Sequence, residues 1–452
     1  MTENRNDLTT GIIWKKLIVF FLPIAAGTCI QQLYNAVDGL IVGRFVGTTA
    51  LAAVGGSSSQ VINLLIGFFV SLTSGASVVI AQIFGAGRKE DIQRASGNAI
   101  AVCALMGLIL AVFGLLASPW MLRVLKTPAD TLQGSVLYLR IYFIGVPFIL
   151  ILNMESNMLR AVGDSYSPFI YMVIGCVVNI VLDFVFVVYC GMGISGVAIA
   201  TVLAQIVNML LLTRKLLTVD ADYRLDLRQL RLNGRYLRNM LRIGVPSGLQ
   251  SSMYAISNIV IQVGINTLGT VVVASWAMSS KVDGIFWAVS NALGAAITTF
   301  IGQNIGAGKI DRVKQCVKQG MILGAIMTVI ISSSLMAVAK PLLRILTNDP
   351  EVVDTTYLIM IYFVPYYITW TVIEVLSAIL RGSGDAVNPV IIIGLGICLF
   401  RIIWVLTVFM RFKTLAVLCV CYIISWVITG IALLIYYKRG KWLERTRNKI
   451  LY

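Results

Sequence analysis

Leu159-Arg160-Ala161-Val162-Gly163-Asp164 returns, roughly 220 residues later, as Leu380-Arg381-Gly382-Ser383-Gly384-Asp385. The same interval separates Gln82-Ile83-Phe84-Gly85-Ala86-Gly87-Arg88 from Gln303-Asn304-Ile305-Gly306-Ala307-Gly308-Lys309. The prolines pair at this spacing as well: Pro23 with Pro246, Pro119 with Pro341, Pro128 with Pro350, Pro147 with Pro365, and Pro168 with Pro389. The chain is one unit written twice, and a doubled, strongly apolar chain points to two halves arranged about a shared cavity.

Hydrophobic residues make up 58% of the chain and charged residues 12%, against about 25% charged in a soluble domain. Apolar runs of about 20 residues, enough to span a bilayer, recur throughout. The expected fold is an all-α polytopic membrane protein, with twelve transmembrane helices in two pseudo-symmetric six-helix lobes around a central cavity. The first lobe takes 1–215 and the second 244–452. The segment between them, 216–243, is charged and periodic (Arg224, Arg228, Arg231, Arg235, Arg238) and reads as an amphipathic interfacial helix or a plain cationic connector. Six helices per copy return the chain to its starting side, so the repeats run parallel.

The net charge of +16 does not imply nucleic acid, because the cations collect where the positive-inside rule puts them. With both termini cytoplasmic, only Arg44, Arg123, Lys126, Lys340, Arg344, Arg411 and Lys413 fall at outer ends, and the C-terminal tail is basic. The polar start, Met1 to Thr10, lacks a cleavable signal pattern. Eight cysteines without a C-x-x-C pair argue against a disulfide framework or zinc site. The absence of histidine removes imidazole metal sites and proton relays. No nucleophile elbow or metal triad is present, so no enzyme is expected.

Five acids lie within apolar spans: Asp38, Glu155, Asp183, Asp283 and Glu374. Such an acid is a functional hypothesis by default, given its cost in hydrocarbon. Asp38 lies ~8 Å from the outer end of the first helix, Asp183 ~9 Å from that of the fifth, and Thr201 ~12 Å into the sixth, at 1.5 Å per residue. Asn179 is one turn from Asp183 on the same face. These four oxygen donors form a candidate site for Na+ or a proton, with a structural polar knot as the alternative. Glu155 and Glu374 occupy matching places on the fourth and tenth helices. Either could draw a cationic substrate inward, or pair with Arg160 or Arg381. Arg401, buried in the eleventh helix, has Glu374 as its expected counter-ion. Lys281, Asp283 and Trp287, with Met253 and Tyr254, are candidate cavity residues of the second lobe, where rings and thioethers suit varied organic shapes. Pro23 and Pro246 sit inside the first helix of each half, as static bends or as hinges. The second copy carries Asn258, Phe400 and Trp404 where the first has Asp38, Asn179 and Asp183.

Pro23, the run Gln31-Gln32-Leu33-Tyr34-Asn35-Ala36-Val37-Asp38-Gly39, the Gly-Ala-Gly-Arg/Lys turns and the doubled Leu-Arg-x-x-Gly-Asp together resemble the MATE (multidrug and toxic compound extrusion) family along essentially the whole chain. The resemblance implies drug efflux across the cell membrane in exchange for Na+ or H+. It implies ion coupling at Asp38, Asn179, Asp183 and Thr201, drug recognition at Glu155, and Gln31 and Tyr34 in the substrate cavity. It implies a monomer in the lipid bilayer, handling amphipathic, often cationic, compounds without a covalent cofactor. Other bacterial branches carry a seventh-helix glutamate that this chain lacks. A lipid-linked oligosaccharide or precursor flippase of the same superfamily is the alternative, and its cavity would be rich in arginine or lysine.

Overall fold

The computed structural model describes residues 7–347, 349–440 and 442. The polar start up to residue 6, and the basic tail beyond residue 440 apart from Trp442, lie outside the described residues. Six long helices precede the connector: α1 (Ile13–Val46), α2 (Thr48–Gly85), α3 (Lys89–Val124), α4 (Ala129–Ala161), α5 (Tyr166–Tyr189) and α6 (Gly193–Thr218). Six follow: α7 (Gly234–Asn266), α8 (Thr270–Gly306), α9 (Ile310–Leu346), α10 (Pro350–Gly382), α11 (Val387–Phe412) and α12 (Leu415–Lys438). Eleven of the twelve are apolar enough along their length to span a membrane. α7 falls short because polar residues run through it, among them Ser247, Gln250, Ser251, Ser252, Ser257, Asn258 and Gln262. The chain is a multi-pass membrane protein.

The repeated phrases are helix stops. Gly87, Gly163, Gly308 and Gly384 all have φ between 68° and 89°, a left-handed conformation that only glycine adopts without strain. After each, the next N–H reaches back across the turn: Arg88 to Ile83, Asp164 to Leu159, Lys309 to Asn304 and Asp385 to Leu380. This satisfies carbonyls left open at the helix ends. The two copies therefore turn alike because the same backbone problem is solved with the same residues.

By compactness the chain divides into two units. The first contains Leu22–Gly248 and the second Leu249–Ile305 with the chain from Lys309 onward, together with Thr10–Phe21. The chain thus passes between units inside α1, beside Pro23, and inside α7, beside Pro246. Within the first unit α3 and α4 meet closely through glycine. A Cβ at Gly107 would lie 2.5 Å from the Pro147 Cα, and one at Gly114 would enter the Phe143 ring. Seven residues apart, they share a face of α3, the small-residue contact usual between membrane helices.

The amphipathic helix considered for 216–243 does not form. α6 runs on to Thr218, Leu227–Gln229 make a single 3-10 turn, and α7 starts at Gly234. The Asp226 carboxylate accepts from the Arg228 N–H at 2.9 Å, and the Asn98 side chain donates to the Arg231 and Asn233 carbonyls at 3.2 and 3.3 Å. Tyr223 and Leu225 are buried. Local caps and the flank of α3 thus satisfy the backbone, so Arg224, Arg228 and Arg231 lie outside any α-helix, while Arg235 and Arg238 fall in the start of α7.

Candidate functional site

The helices bearing Asp38 and Asp183 both loosen beside them. α1 is α-helical to Ile41 and π-helical over Val42–Val46, and α5 is α-helical to Asp183 and π-helical over Phe184–Tyr189. π segments inside α-helices recur at functional sites because they shift side-chain register. Asp183, Asn179 and Thr201 are buried, at 0%, 1% and 7% exposure, and Asp38 is half-buried. Asp38 lies against Asp183 on one side and the Tyr34 hydroxyl on the other, and Tyr34 also faces Thr201. Tyr138 of α4 faces both acids. Asp38 and Asp183 are therefore brought together, Thr201 is joined to them through Tyr34, Asn179 lies one turn from Asp183 on α5, and Tyr138 lies nearby.

The hydrogen bonding at this cluster is incomplete. Asp38 Oδ1, both Asp183 oxygens and both polar atoms of the Asn179 amide are buried without a hydrogen-bond partner. Two carboxylates facing each other offer acceptors only, so neither satisfies the other. Each buried orphan costs about 1–3 kcal/mol, and a shared proton or a hard cation taking oxygen ligands relieves it. Thr201 donates its proton to the Val197 carbonyl at 3.0 Å, which leaves its lone pairs for such a cation. One turn beyond the acids and Thr201, Ile41, Val42, Ala50, Val187 and Val197 form an apolar cluster that keeps water from that side.

On its other side the cluster borders a cavity of about 470 Å3 within the first unit. Tyr34 and Asn179 belong to both. Gln31 lines the cavity as expected, but Glu155 does not. Its side chain is 1% exposed and accepts a hydrogen bond from the Thr213 hydroxyl. Assigning Glu155 to the cavity is therefore corrected: one face of α4 meets α6, and another meets the cavity through Asn153, Ser156, Asn157 and Arg160. Formal charge passes over Asn63, Asn153, Asn157, Gln205 and Asn208, which also line the cavity. Their signal was available as amides inside apolar spans, with Asn153 and Asn157 one turn apart.

The second-unit candidates gather elsewhere. Phe286 stacks on Tyr367 at 4.0 Å, and Trp287 meets Trp370 edge-on at 4.8 Å. Tyr254 reaches Trp370 at 6.2 Å, and Met253 packs on Gly394. Asp283 is buried, facing Tyr367 and accepting from Ser279 at 3.4 Å. Lys281 is exposed. The Glu374–Arg401 ion pair is not formed. Glu374 pairs with Arg381 at 3.2 Å, because residues seven apart return to nearly the same face of a helix. Arg401, 4% exposed, lies over the Tyr422 ring, 3.7 Å from its centroid, and donates to Ser425 at 3.0 Å. A ring face thus takes the place of the carboxylate. Among the described residues no cluster of three acids or cysteines has metal-binding geometry.

A sequence profile described as MatE matches residues 23–185 and 246–407, the two copies of the repeat. The "Probable multidrug resistance protein YoeA" of Bacillus subtilis (strain 168) is 28% identical over 84% of this chain and 83% of its own length. The "Probable multidrug resistance protein NorM" of Thermotoga maritima is 24% identical over 97% and 96%. Among solved structures, that of "MATE in complex with MaD3S" superposes with a TM-score of 0.89 at 22% identity, covering 100% of this chain and 99% of that one. The last likeness establishes the fold.

Proposed function

The chain belongs to the MatE family, and from that membership we propose that it exports small organic compounds in exchange for Na+ or H+ bound between Asp38 and Asp183. The observation that carries this reading is the buried carboxylate pair with no donor between its members. A group so placed favours whichever arrangement lets a cation or proton in, and an equilibrium moves only by such a difference in affinity. Tyr34 and Asn179 then form the physical link. Tyr34 touches Asp38 and lines the cavity, and Asn179, one turn from Asp183 on α5, lines it too, so ion and substrate compete for neighbouring polar atoms. The multidrug relatives support export as the direction of use. Both termini are taken as cytoplasmic and the membrane as the cell membrane, on the distribution of lysine and arginine.

The test is flux in proteoliposomes under separately imposed sodium and pH gradients, with a panel of organic compounds of both charges. Export driven by one gradient identifies the coupling ion. Export by the parent that persists with both gradients collapsed, or gradient-driven export that survives in Asp183→Asn, overturns exchange at this site.

A further inference from the structure

Arg160 carries the single formal charge on the wall of the first unit's cavity among the described residues. Its surroundings differ from those of its counterpart in the second copy. Arg381 follows Glu374 by seven residues, about 20° away around an ideal helix, and the two pair at 3.2 Å. Arg160 follows Glu155 by five residues, about 140° away, and Glu155 is turned to Thr213 instead. The aspartate of the same phrase is also occupied. Asp164 accepts from the Tyr166 and Ser167 N–H groups at 3.1 and 2.9 Å and from the Ser167 hydroxyl at 2.6 Å. No carboxylate lies within ion-pair distance of Arg160 among the described residues, and its Nε is buried without a hydrogen-bond partner.

Most of the other polar residues on the wall are amides. Gln31, Asn63, Asn153, Asn157, Gln205 and Asn208 line the cavity beside Asn179. Asn179 and Asn208 are 1% and 7% exposed, and the Oδ1 of each is buried without a partner. A carboxamide presents a donor and an acceptor side by side, the match for the amide or imide edge of a planar heterocycle. A guanidinium is the match for phosphate or carboxylate. The acids Asp38, Asp183 and Glu155 are all outside the lining, so a cationic ligand would meet a like charge with nothing opposite it.

We propose that this cavity binds a small organic anion bearing an amide- or imide-edged heterocycle, its anionic group on Arg160 and its ring edge among the carboxamides. At about 470 Å3 the space is of ligand-pocket size. The inference deepens the transport reading by naming its substrate class, and rests on that reading for the export step that comes after binding. Binding itself needs no gradient.

Equilibrium binding to the purified full-length protein, with no ion gradient, tests it. The probes are uridine monophosphate, orotate, uridine, ethidium and farnesyl phosphate. Uridine monophosphate and orotate, which carry an imide with a phosphate or a carboxylate, are expected to bind about tenfold or more tighter than uridine, the scale of a hydrogen bond to a charged group. Arg160→Gln is expected to erase that difference and Arg160→Lys to restore part of it. Asn208→Ala is expected to weaken all three pyrimidines. Binding of ethidium or of farnesyl phosphate without the anionic pyrimidines overturns the proposal, the latter in favour of a lipid-borne anion. An unchanged ratio of uridine monophosphate to uridine in Arg160→Gln, with elution and melting like the parent, also overturns it. Should Arg160→Gln not fold, the parent's own ratio and the Arg160→Lys variant decide. Intact binding with no gradient-driven export counts against the exchange reading alone.

Discussion

Asp183 and Glu374 show how differently a membrane span can hold an acid. Glu374 is neutralised within its own helix by Arg381. Replacing Arg381 with methionine leaves the acid in a largely buried position without its donor, and is expected to cost about 1–3 kcal/mol of stability, read as a lower melting temperature in detergent. Asp183 has no cation within ion-pair distance among the described residues and opposes Asp38 instead. Asp183→Asn removes a repulsion and adds a donor, so the melting temperature is expected to hold or rise while export falls at least tenfold. A variant that both unfolds and loses export would identify the pair as a structural knot. Arg401 is a third case, held over Tyr422. Tyr422→Leu is expected to destabilise by about 1–2 kcal/mol through loss of the ring face, and Glu374→Gln should leave the environment of Arg401 unchanged.

At the scale of the element, backbone-level signals were the legible ones. The left-handed glycines end helices where the repeated phrases fall, since φ near +70° is a local demand that the sequence states directly. The arginine period of 216–243 was misleading. Asp226, Asn98 and the buried Tyr223 and Leu225 provide a competing structure, and a charge period alone cannot say whether a helix has a surface to lie on. The contact of α3 with α4 depends on Gly107 and Gly114. Gly114→Leu is expected to destabilise by about 1–3 kcal/mol through overpacking on Phe143, measurable by thermal unfolding. Pro23 and Pro246 stand beside the points where α1 and α7 pass from one compact unit to the other. If they act as hinges, Pro246→Ala should lower export severalfold while leaving uridine monophosphate binding within about twofold, since a proline frees a carbonyl without touching the cavity.

Across the whole molecule, the duplication extends to the hydrophobic framework and stops at the chemistry. The apolar cluster of Ile41, Val187 and Val197 has a counterpart in Ile261, Phe409 and Leu418, but Asp38 and Asp183 correspond in the repeat to Asn258 and Trp404. Coupling is therefore expected in the first unit alone. Asp283→Asn in the second should leave the ion dependence of export unchanged, a contrast that the separate sodium and pH gradients measure. The doubling, the twelve long helices, the helix stops and the nearness of Asp38 to Asp183 could all be read without coordinates. Each of these is written in local pattern: glycine position, apolar length, or a carboxylate where hydrocarbon penalises one. Which faces meet was settled by packing in three dimensions. It turned Glu155 to Thr213, gave Glu374 to Arg381, laid Arg401 on Tyr422, and left Arg160 among amides. A buried charge takes whichever partner that packing delivers to its face of the helix. Two residues more or fewer between acid and arginine rotate that face by more than a third of a turn.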